Sequence, residues 1–361
     1  MSTSPLLGLP GAVAAEGVDA SVAAHYGSFN TEQRTLVGGE GFVDLSHRDV
    51  VRISGPDRLS WLHSLTTQYF EGLEPGRPIE ALVLSPQGHV EHAFRGVDDG
   101  SSFVAHLDGG RGAALIAFLD SMRFMMRVEV TDVTAEKAVC WRPDVEEVRT
   151  TATEVEEARS AVTEVEEARS AVTKPNPTTE VEEARSAVTK LNPGRYDLID
   201  RNKLEKYAEA VGPACGLWAF DALRIARGEP RIGVDTDHRT IPNEVGWVPR
   251  AVHLDKGCYR GQETVARVHT LGRPPRRLTL LHLDGSENRL PVPGSTARAG
   301  GRDVGFVGSS ARHFEVGPIA LALIKRGLSL DAEIEVDGLV AHQEVVVDPE
   351  VGLHVRPTLG G

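Results

Sequence analysis

Cysteine is scarce in this chain, which has only three among its 361 residues: Cys140, Cys215 and Cys258. An odd number of widely spaced cysteines argues against a disulfide scaffold and against a cysteine-rich zinc site. Long apolar runs are also missing, since the longest, residues 318–324, is far shorter than the roughly 20 residues of a membrane helix. No Lys or Arg precedes Arg34, so the start lacks the basic region of a signal peptide. We therefore expect a soluble, cytoplasmic protein without a membrane association.

Positive charge is in deficit, because 39 Lys and Arg face 52 Asp and Glu, for a net charge of −13. Such a balance argues against binding to nucleic acid by overall charge. The sequence has no phosphate-binding glycine loop, no paired-histidine helix motif and no nucleophile elbow. The stretch 235–238, Asp-Thr-Asp-His, is of a kind common in surface loops, so no metal is expected.

Composition and hydrophobic spacing divide the chain into regions. Residues 1–36 are rich in Ala, Gly, Ser and Pro and predict a poorly ordered tail. Residues 37–272 alternate short strands with helices, such as those predicted over 200–211 and 217–227. Residues 273–361 consist of short apolar segments separated by glycines, which predicts a small β-barrel or sandwich. The expected fold class is α+β.

An internal repeat interrupts the middle region. The sequence TEVEEARSAV occurs three times, starting at Thr153, Thr163 and Thr179. Each copy favours a helix locally, but a ten-residue period is about 2.8 helical turns, so the apolar stripe drifts around the helix. We interpret residues from about 150 to 193 as a surface insertion; a partner-binding arm is the alternative.

The most unusual local sequence is LDKGCYRGQE, residues 254–263. Two glycines, Gly257 and Gly261, flank Cys258 and let the backbone bend tightly around an approachable thiol. Lys256 and Arg260 lie two positions on either side of the cysteine, and nearby cations favour the reactive thiolate. A buried, inert cysteine is the alternative interpretation.

Positive charge concentrates in the same part of the chain. Between residues 256 and 277 there are six cations and one acid, Glu263, in a protein that is otherwise acidic. This segment is a candidate anion site, for a polycarboxylate ligand or a phosphate backbone, and a solvated basic loop is the alternative. Aromatic residues do not alternate with the cations, which weakens the case for single-stranded nucleic acid.

The motif KGCYRGQE resembles the signature of the YgfZ-type folate-binding proteins, which are relatives of the glycine-cleavage aminomethyltransferase, or T-protein. Four other stretches are similar to the same family: residues 222–230, 241–244, 304–309 and 317–322. The resemblance covers about residues 40–140 and 195–330. It implies a three-lobed aminomethyltransferase-like folate-binding fold with a C-terminal β-barrel.

The resemblance also implies a function. The protein would bind tetrahydrofolate and act as an accessory protein in iron–sulfur cluster assembly or repair, with iron–sulfur apo-enzymes or assembly proteins as partners. Cys258 would be the key thiol, Lys256 and Arg260 would stabilise its charge, and folate carboxylates would suit the basic segment. The residues expected to contact folate are Gly257, Tyr259, Gly261, Gln262, Glu263, Arg224, Trp218, Glu91 and Arg267.

Two departures from the transferase pattern bear on activity. By alignment, the acidic pair that helps the transferases activate folate corresponds to Glu91 and His92, so the second acid is missing. Ala226 stands where the transferases tend to carry a pterin-binding Glu. Both departures favour the accessory protein, although one-carbon transfer by an aminomethyltransferase-type enzyme remains an alternative. An RNA-contacting protein that uses the segment near Arg273 is a third hypothesis.

Overall fold

The computed structural model describes residues 3–144, 194–248 and 250–353. The three repeat copies and the predicted insertion at about 150–193 lie outside the described residues. Within the described ranges, no helix combines the length and the apolar character needed to cross a membrane.

The N-terminal segment is folded, so the prediction of a poorly ordered tail over 1–36 is wrong for the residues described. It holds two 3-10 turns, Pro5–Gly8 and Gly17–Asp19, a short hairpin of β1 (Val13–Ala14) and β2 (Ala23–His25), and α1 (Phe29–Val37). Three of its apolar side chains are buried in cores built largely by later residues: Leu6, Val22 and Leu36. Isolated apolar residues give no periodic signal, because the elements that bury them come from elsewhere in the chain.

Residues 42–142 form two helices and seven strands. In chain order these are β3 (Phe42–Asp44), β4 (Asp49–Ser54), α2 (Arg58–Leu65), β5 (Pro78–Leu84), β6 (Val90–Asp98), β7 (Ser102–Leu107), α3 (Gly112–Ser121), β8 (Glu129–Asp132) and β9 (Lys137–Arg142). Strands β4 to β8 make an antiparallel sheet in the order β5-β6-β7-β4-β8. The buried faces of α2 and α3 cover this sheet and form the core of the first lobe.

The second lobe takes strands from both sides of the insertion. After it come β10 (Arg195–Asp200), a 3-10 turn (Arg201–Lys203), α4 (Leu204–Val211), β11 (Ala214–Cys215) and α5 (Leu217–Ala226). The sheet order is β10-β9-β3-β11, with β11 parallel to β3. The helix predicted over 200–211 therefore begins later, because residues 195–200 pair with β9 instead.

The C-terminal lobe is a closed barrel. A 3-10 turn (Pro242–Glu244) and α6 (Gln262–Leu271) precede it, and its strands are β12 (Arg276–Leu283), β13 (Thr296–Ala299), β14 (Arg302–His313), β15 (Gly317–Lys325), β16 (Ile334–Val336) and β17 (Leu339–Val345). Their order around the barrel is β12-β15-β14-β13-β16-β17. The predicted α+β class and C-terminal barrel are confirmed.

The three lobes meet at a central apolar cluster. It joins one end of β5 and β6 to α5, α6 and the outer face of β12 and β15. Fully buried members of the cluster include Leu82, Ile225, Val265 and Leu321. Because α6 is held there, the segment that leads into α6 is fixed at the junction of the lobes.

Candidate functional site

The loop of residues 254–263 leads into α6 and is anchored in the central cluster. Tyr259 is buried in that cluster, and Val265 of α6 lies in it one helical turn beyond the loop. Gly261 precedes α6 with a φ of +80°, in the left-handed region that favours glycine. The loop is therefore held in one conformation by its own buried residues.

This loop packs directly on the hairpin turn between β5 and β6. A methyl group on Gly261 would lie 2.5 Å from the carbonyl oxygen of Ser85 and 2.9 Å from the Cα of Gly88. A methyl group on Gly88 would lie 2.6 Å from the Cβ of Thr264 in α6. The two glycines thus allow backbone contact between segments of the chain that are far apart in sequence. A methyl group on Gly257 would meet nothing within 4 Å, so space does not require glycine there.

Arg260 joins the loop to β6. Its Nη1 lies 3.0 Å from Oε2 of Glu91, and its guanidinium carbon lies 5.7 Å from the centre of the Phe118 ring. Both charged side chains are about a third exposed, so the pair contributes at most about 1 kcal/mol. Burial, with Arg111 and Arg260, lowers the pKa of His92 to about 4, so His92 is uncharged at neutral pH.

The three cysteines differ sharply in exposure. Cys258 is exposed, whereas Cys140 and Cys215 are buried. Burial raises the pKa of the Cys215 thiol to about 12, with a smaller contribution from Glu32, and burial also raises that of Cys140. Only the thiolate is a nucleophile or a metal ligand, so the two buried thiols are inert at neutral pH.

Lys256 has partners other than the predicted thiolate. Its Nζ donates to the carbonyl oxygens of His63, of Thr66 at 2.6 Å and of Gln68 at 3.0 Å. An ammonium group has three N–H donors, so none is left for the sulfur of Cys258. Burial lowers the pKa of Lys256 to about 8. If Lys256 stabilises the charge of the Cys258 thiolate, as expected from the sequence, it does so without a hydrogen bond from its ammonium group.

Four of the six cations between residues 256 and 277 lie against carboxylates, which reduces the positive charge that this segment offers to an anion. Arg267 pairs with Glu263 at 2.6 Å, and Arg276 pairs with both Asp237 and Glu244. Arg260 and Arg273 also lie against acids, whereas Arg277 donates to a side-chain amide and Lys256 to carbonyl groups. All of these acids except Glu263 come from distant positions, and the anion site stays a prediction.

A cavity of about 1200 Å³ opens beside the first lobe, between β5, β6, β10 and the segment around His253. Its lining includes four arginines, three tyrosines and four acids: Arg77, Arg95, Arg195, Arg250, Tyr69, Tyr196, Tyr207, Glu71, Glu80, Asp144 and Asp197. Arg250 lies 2.9 Å from Glu80. We call this cavity the cleft. A space of this size, with aromatic faces and guanidinium groups, suits a planar ring that carries carboxylates.

Arg95 and Tyr196 separate the cleft from an inner cavity of about 70 Å³, and both line the two spaces. Arg95 donates to the Tyr196 hydroxyl, and its guanidinium carbon lies 5.0 Å from the centre of that ring. Arg48 contacts the same ring at 5.2 Å.

The predicted folate contacts do not line the cleft within the described part of the chain. Arg224 lines the inner cavity, where it donates to Asp221, Asp235 and the Ser309 hydroxyl. Trp218 is half exposed and lies against His25 and Phe29 of the N-terminal segment, away from the described lining of both cavities.

Sequence reasoning missed the residues that form the cleft. Arg95 lies in the middle of β6, and a charged residue inside a strand was an available signal for a polar centre. Tyr69, Tyr196 and Arg250 come from three separate segments and share no sequence pattern, so only the fold brings them together.

Comparisons with known proteins were made by sequence. No family model matches the chain. It is 24% identical over 341 residues to a protein of Arabidopsis thaliana named as a chloroplastic transferase, covering 87% of this chain and 74% of that protein. It is 27% identical over 332 residues to an aminomethyltransferase of Moorella thermoacetica, covering 90% of each. A 34% identity to an aminomethyltransferase of Streptomyces avermitilis extends over 137 residues, 36% of each chain.

The solved structures extend this likeness to the fold. The glycine cleavage system aminomethyltransferase T from Bartonella henselae superposes with a TM-score of 0.69 at 16% identity, covering 96% of this chain and 97% of that one. The fold is that of the aminomethyltransferase T-protein. The fold implied by the resemblance is thus confirmed, whereas the YgfZ-type assignment stays a prediction.

Proposed function

We propose that this chain is a tetrahydrofolate-binding accessory protein of iron–sulfur cluster assembly or repair, acting in the cytoplasm through Cys258. The observation that carries the proposal is the exposed thiol of Cys258 on a loop that backbone packing and a buried lysine hold in place. A thiol that is both accessible and fixed suits repeated reaction with a partner, whereas a buried cysteine does not.

The thiolate of Cys258 has two chemical routes. It can transiently ligate iron, or it can attack a disulfide of a partner protein. In the second route a mixed disulfide forms, and the partner's other sulfur leaves as a thiolate. The partners would be iron–sulfur apo-enzymes or assembly proteins.

The size of the cleft supports tetrahydrofolate as its ligand. Arg77 would receive a glutamate carboxylate and the exposed Tyr69 would lie against a ring of the ligand. Arg195 already lies 3.4 Å from Asp197, and Arg48 and Arg95 already lie over the Tyr196 ring. Arg250 is already paired with Glu80, so it would orient rather than neutralise the ligand. Bound tetrahydrofolate would supply a carrier for one-carbon units.

Aminomethyl transfer is the alternative, and the names of two relatives favour it. Glu91 would then be the essential acid. Against this, Glu91 is paired with Arg260, and the next position is a histidine that is uncharged at neutral pH. Neither residue lines the cleft in the part of the chain that is described.

Two measurements test the proposal. Calorimetric titration with tetrahydrofolate should give saturable, micromolar binding. A flat titration would refute tetrahydrofolate as the ligand. In cells that lack the protein, Cys258→Ser should fail to restore iron–sulfur enzyme activity, although it folds and binds folate. Asp255→Asn is the matched control, because it changes an exposed side chain of the same loop, and it should rescue fully. Full rescue by Cys258→Ser would refute the role of the thiol.

A turnover assay separates the alternative. With an aminomethyl donor on a lipoyl carrier and tetrahydrofolate, the accessory protein should form no methylenetetrahydrofolate. Steady turnover that Glu91→Gln abolishes would favour the transferase instead.

A further inference from the structure

The three carbonyl groups that accept hydrogen bonds from Lys256 connect two parts of the structure, the cleft and the loop of Cys258. The three acceptors belong to the end of α2 and to the segment that follows it. His63 and Thr66 supply carbonyl groups at a helix C-terminus, where the last carbonyls have no partner within the helix. Lys256 satisfies them from a position about 190 residues away in sequence.

The same segment forms a wall of the cleft. Gln68 and Tyr69 line the cleft, and the Gln68 amide donates to the carbonyl oxygens of Glu80 at 3.3 Å and Arg250 at 3.2 Å. Its main-chain carbonyl, on the other side, accepts from Lys256. The residue that touches the cleft is thus one hydrogen bond away from the loop of the thiol.

A second set of contacts runs parallel to this one. The Thr67 hydroxyl donates to the Ala251 carbonyl at 2.6 Å, and the His253 amide donates to the Thr67 carbonyl at 2.9 Å. Tyr69 lies between the rings of His63 and His253, 4.8 and 5.2 Å from their centres. These contacts join the wall of the cleft to the segment 250–256, and Lys256 makes the contact nearest to Cys258.

Lys256 is also fixed from the loop side. Its side chain is only 5% exposed, its ammonium lies 5.1 Å from the Tyr259 ring, and its carbonyl accepts from the Gln262 amide at 3.3 Å. An ammonium group in this setting cannot move without leaving three carbonyls unpaired, which costs several hydrogen bonds at once.

We propose that Lys256 is a positioning residue that fastens the Cys258 loop to the wall of the cleft, so that a ligand in the cleft alters the reactivity of the thiol. The coupling between the ligand and the thiol rests on the proposed folate site. The positioning role of Lys256 does not rest on that site, because it follows from contacts within the chain. A folate-loaded and a folate-free protein would then present the same thiol differently to a partner.

The ligand-free test is amide hydrogen exchange on the full chain, comparing Lys256→Met, Lys256→Arg and Gly257→Ala with wild type. Lys256→Met should raise exchange about tenfold or more, both in residues 64–70 and in residues 256–260, because both segments lose a shared support. Lys256→Arg keeps donors for the carbonyls and should recover part of the protection, and Gly257→Ala should match wild type. Unchanged exchange in Lys256→Met would overturn the proposal.

The ligand test measures alkylation of Cys258 by monobromobimane with and without 5-formyltetrahydrofolate. In wild type the folate should change the rate about fivefold, at the lower end of the range for coupled sites. In Lys256→Met, calorimetry should still detect folate binding, but the alkylation rate of Cys258 should not change. An equal change of the rate in both proteins would mean that the coupling does not depend on Lys256, and it would refute the proposal.

Failure of the two proposals can be told apart. If calorimetry detects no folate binding to wild type, the proposed function fails, and the exchange experiment alone decides the positioning role. If Lys256→Met does not fold, amide hydrogen exchange of the wild-type protein is measured with and without 5-formyltetrahydrofolate. The proposal requires that the folate protects residues 256–260 as well as residues 64–70. Protection confined to residues 64–70, the wall of the cleft, would overturn it.

Discussion

Replacement of Gly261 by alanine tests whether the loop truly depends on backbone contact with the first-lobe hairpin. The residue has a φ of +80°, which costs an alanine about 1–2 kcal/mol. The new methyl group would lie 2.5 Å from the Ser85 carbonyl oxygen and 3.0 Å from the Leu84 Cβ, so the loop must separate from the hairpin. Overpacking of this kind costs a further 1–3 kcal/mol or so. We expect Gly261→Ala to lose about 2–5 kcal/mol in all.

Thermal melting followed by circular dichroism measures this loss. For a chain of this size about 2 °C corresponds to 1 kcal/mol, so the melting temperature should fall by about 4–10 °C. Gly257→Ala is the matched control, four residues away in the same loop with open space around it, and should stay within about 0.5 kcal/mol of wild type. The reasoning is refuted if Gly261→Ala melts with wild type, or if the control is equally damaging.

Three further predictions concern thiols, acid and the N-terminal segment. In the native protein one thiol per chain, Cys258, should react with Ellman's reagent, and the other two only after denaturation; more than one fast thiol would contradict the burial. The melting temperature should fall as the pH is lowered from 6.5 to 5. Burial lowers the pKa of several histidines in the folded protein, so in this range they gain protons only when the chain unfolds. A melting temperature that does not change with pH would contradict this prediction. The histidines concerned are His47, His92, His106 and His313. Burial raises the pKa of one carboxyl, Asp44, which acts in the opposite direction and reduces the slope. Asp19→Asn removes the ion pair in which Arg231 makes two hydrogen bonds to Asp19. The free energy of unfolding, measured in urea, should fall by about 1.5–3 kcal/mol. An unchanged free energy would mean that the N-terminal segment adds nothing to stability.

Regular elements with local signals could be predicted from the sequence. The helix expected over 217–227 is present as Leu217–Ala226, and the barrel strands lie close to the predicted apolar segments. The hairpin turn between β5 and β6 has the sequence Ser-Pro-Gln-Gly at 85–88, and these residue types are enough to predict a turn. These elements succeed because hydrophobic period and turn chemistry are properties of a short window.

Elements whose partners are distant could not be predicted. The N-terminal segment has scattered apolar residues, and its Asp19 pairs with Arg231, 212 positions away. The cations between 256 and 277 look unopposed in the sequence, yet Arg276 meets Asp237 and Glu244 across the fold. Sequence spacing selected the loop of Cys258 as a candidate site, and the structure shows that its thiol is exposed. The spacing could not show that the neighbouring lysine points to a helix end instead of to the sulfur.

The position of Glu91 bears on the choice between the two proposed functions. An acid that activates folate must face the folate, but Glu91 lies on the side of the Cys258 loop, 3.0 Å from Arg260, and the described lining of the cleft does not include it. Arg260 in turn stacks on Phe118, so the acid, the cation and the ring together support the loop. Under the proposed function, the position that would serve catalysis in a transferase instead contacts the Cys258 loop through Arg260. This contact is expected of the accessory protein that we propose and not of a transferase whose acid must reach a ligand in the cleft.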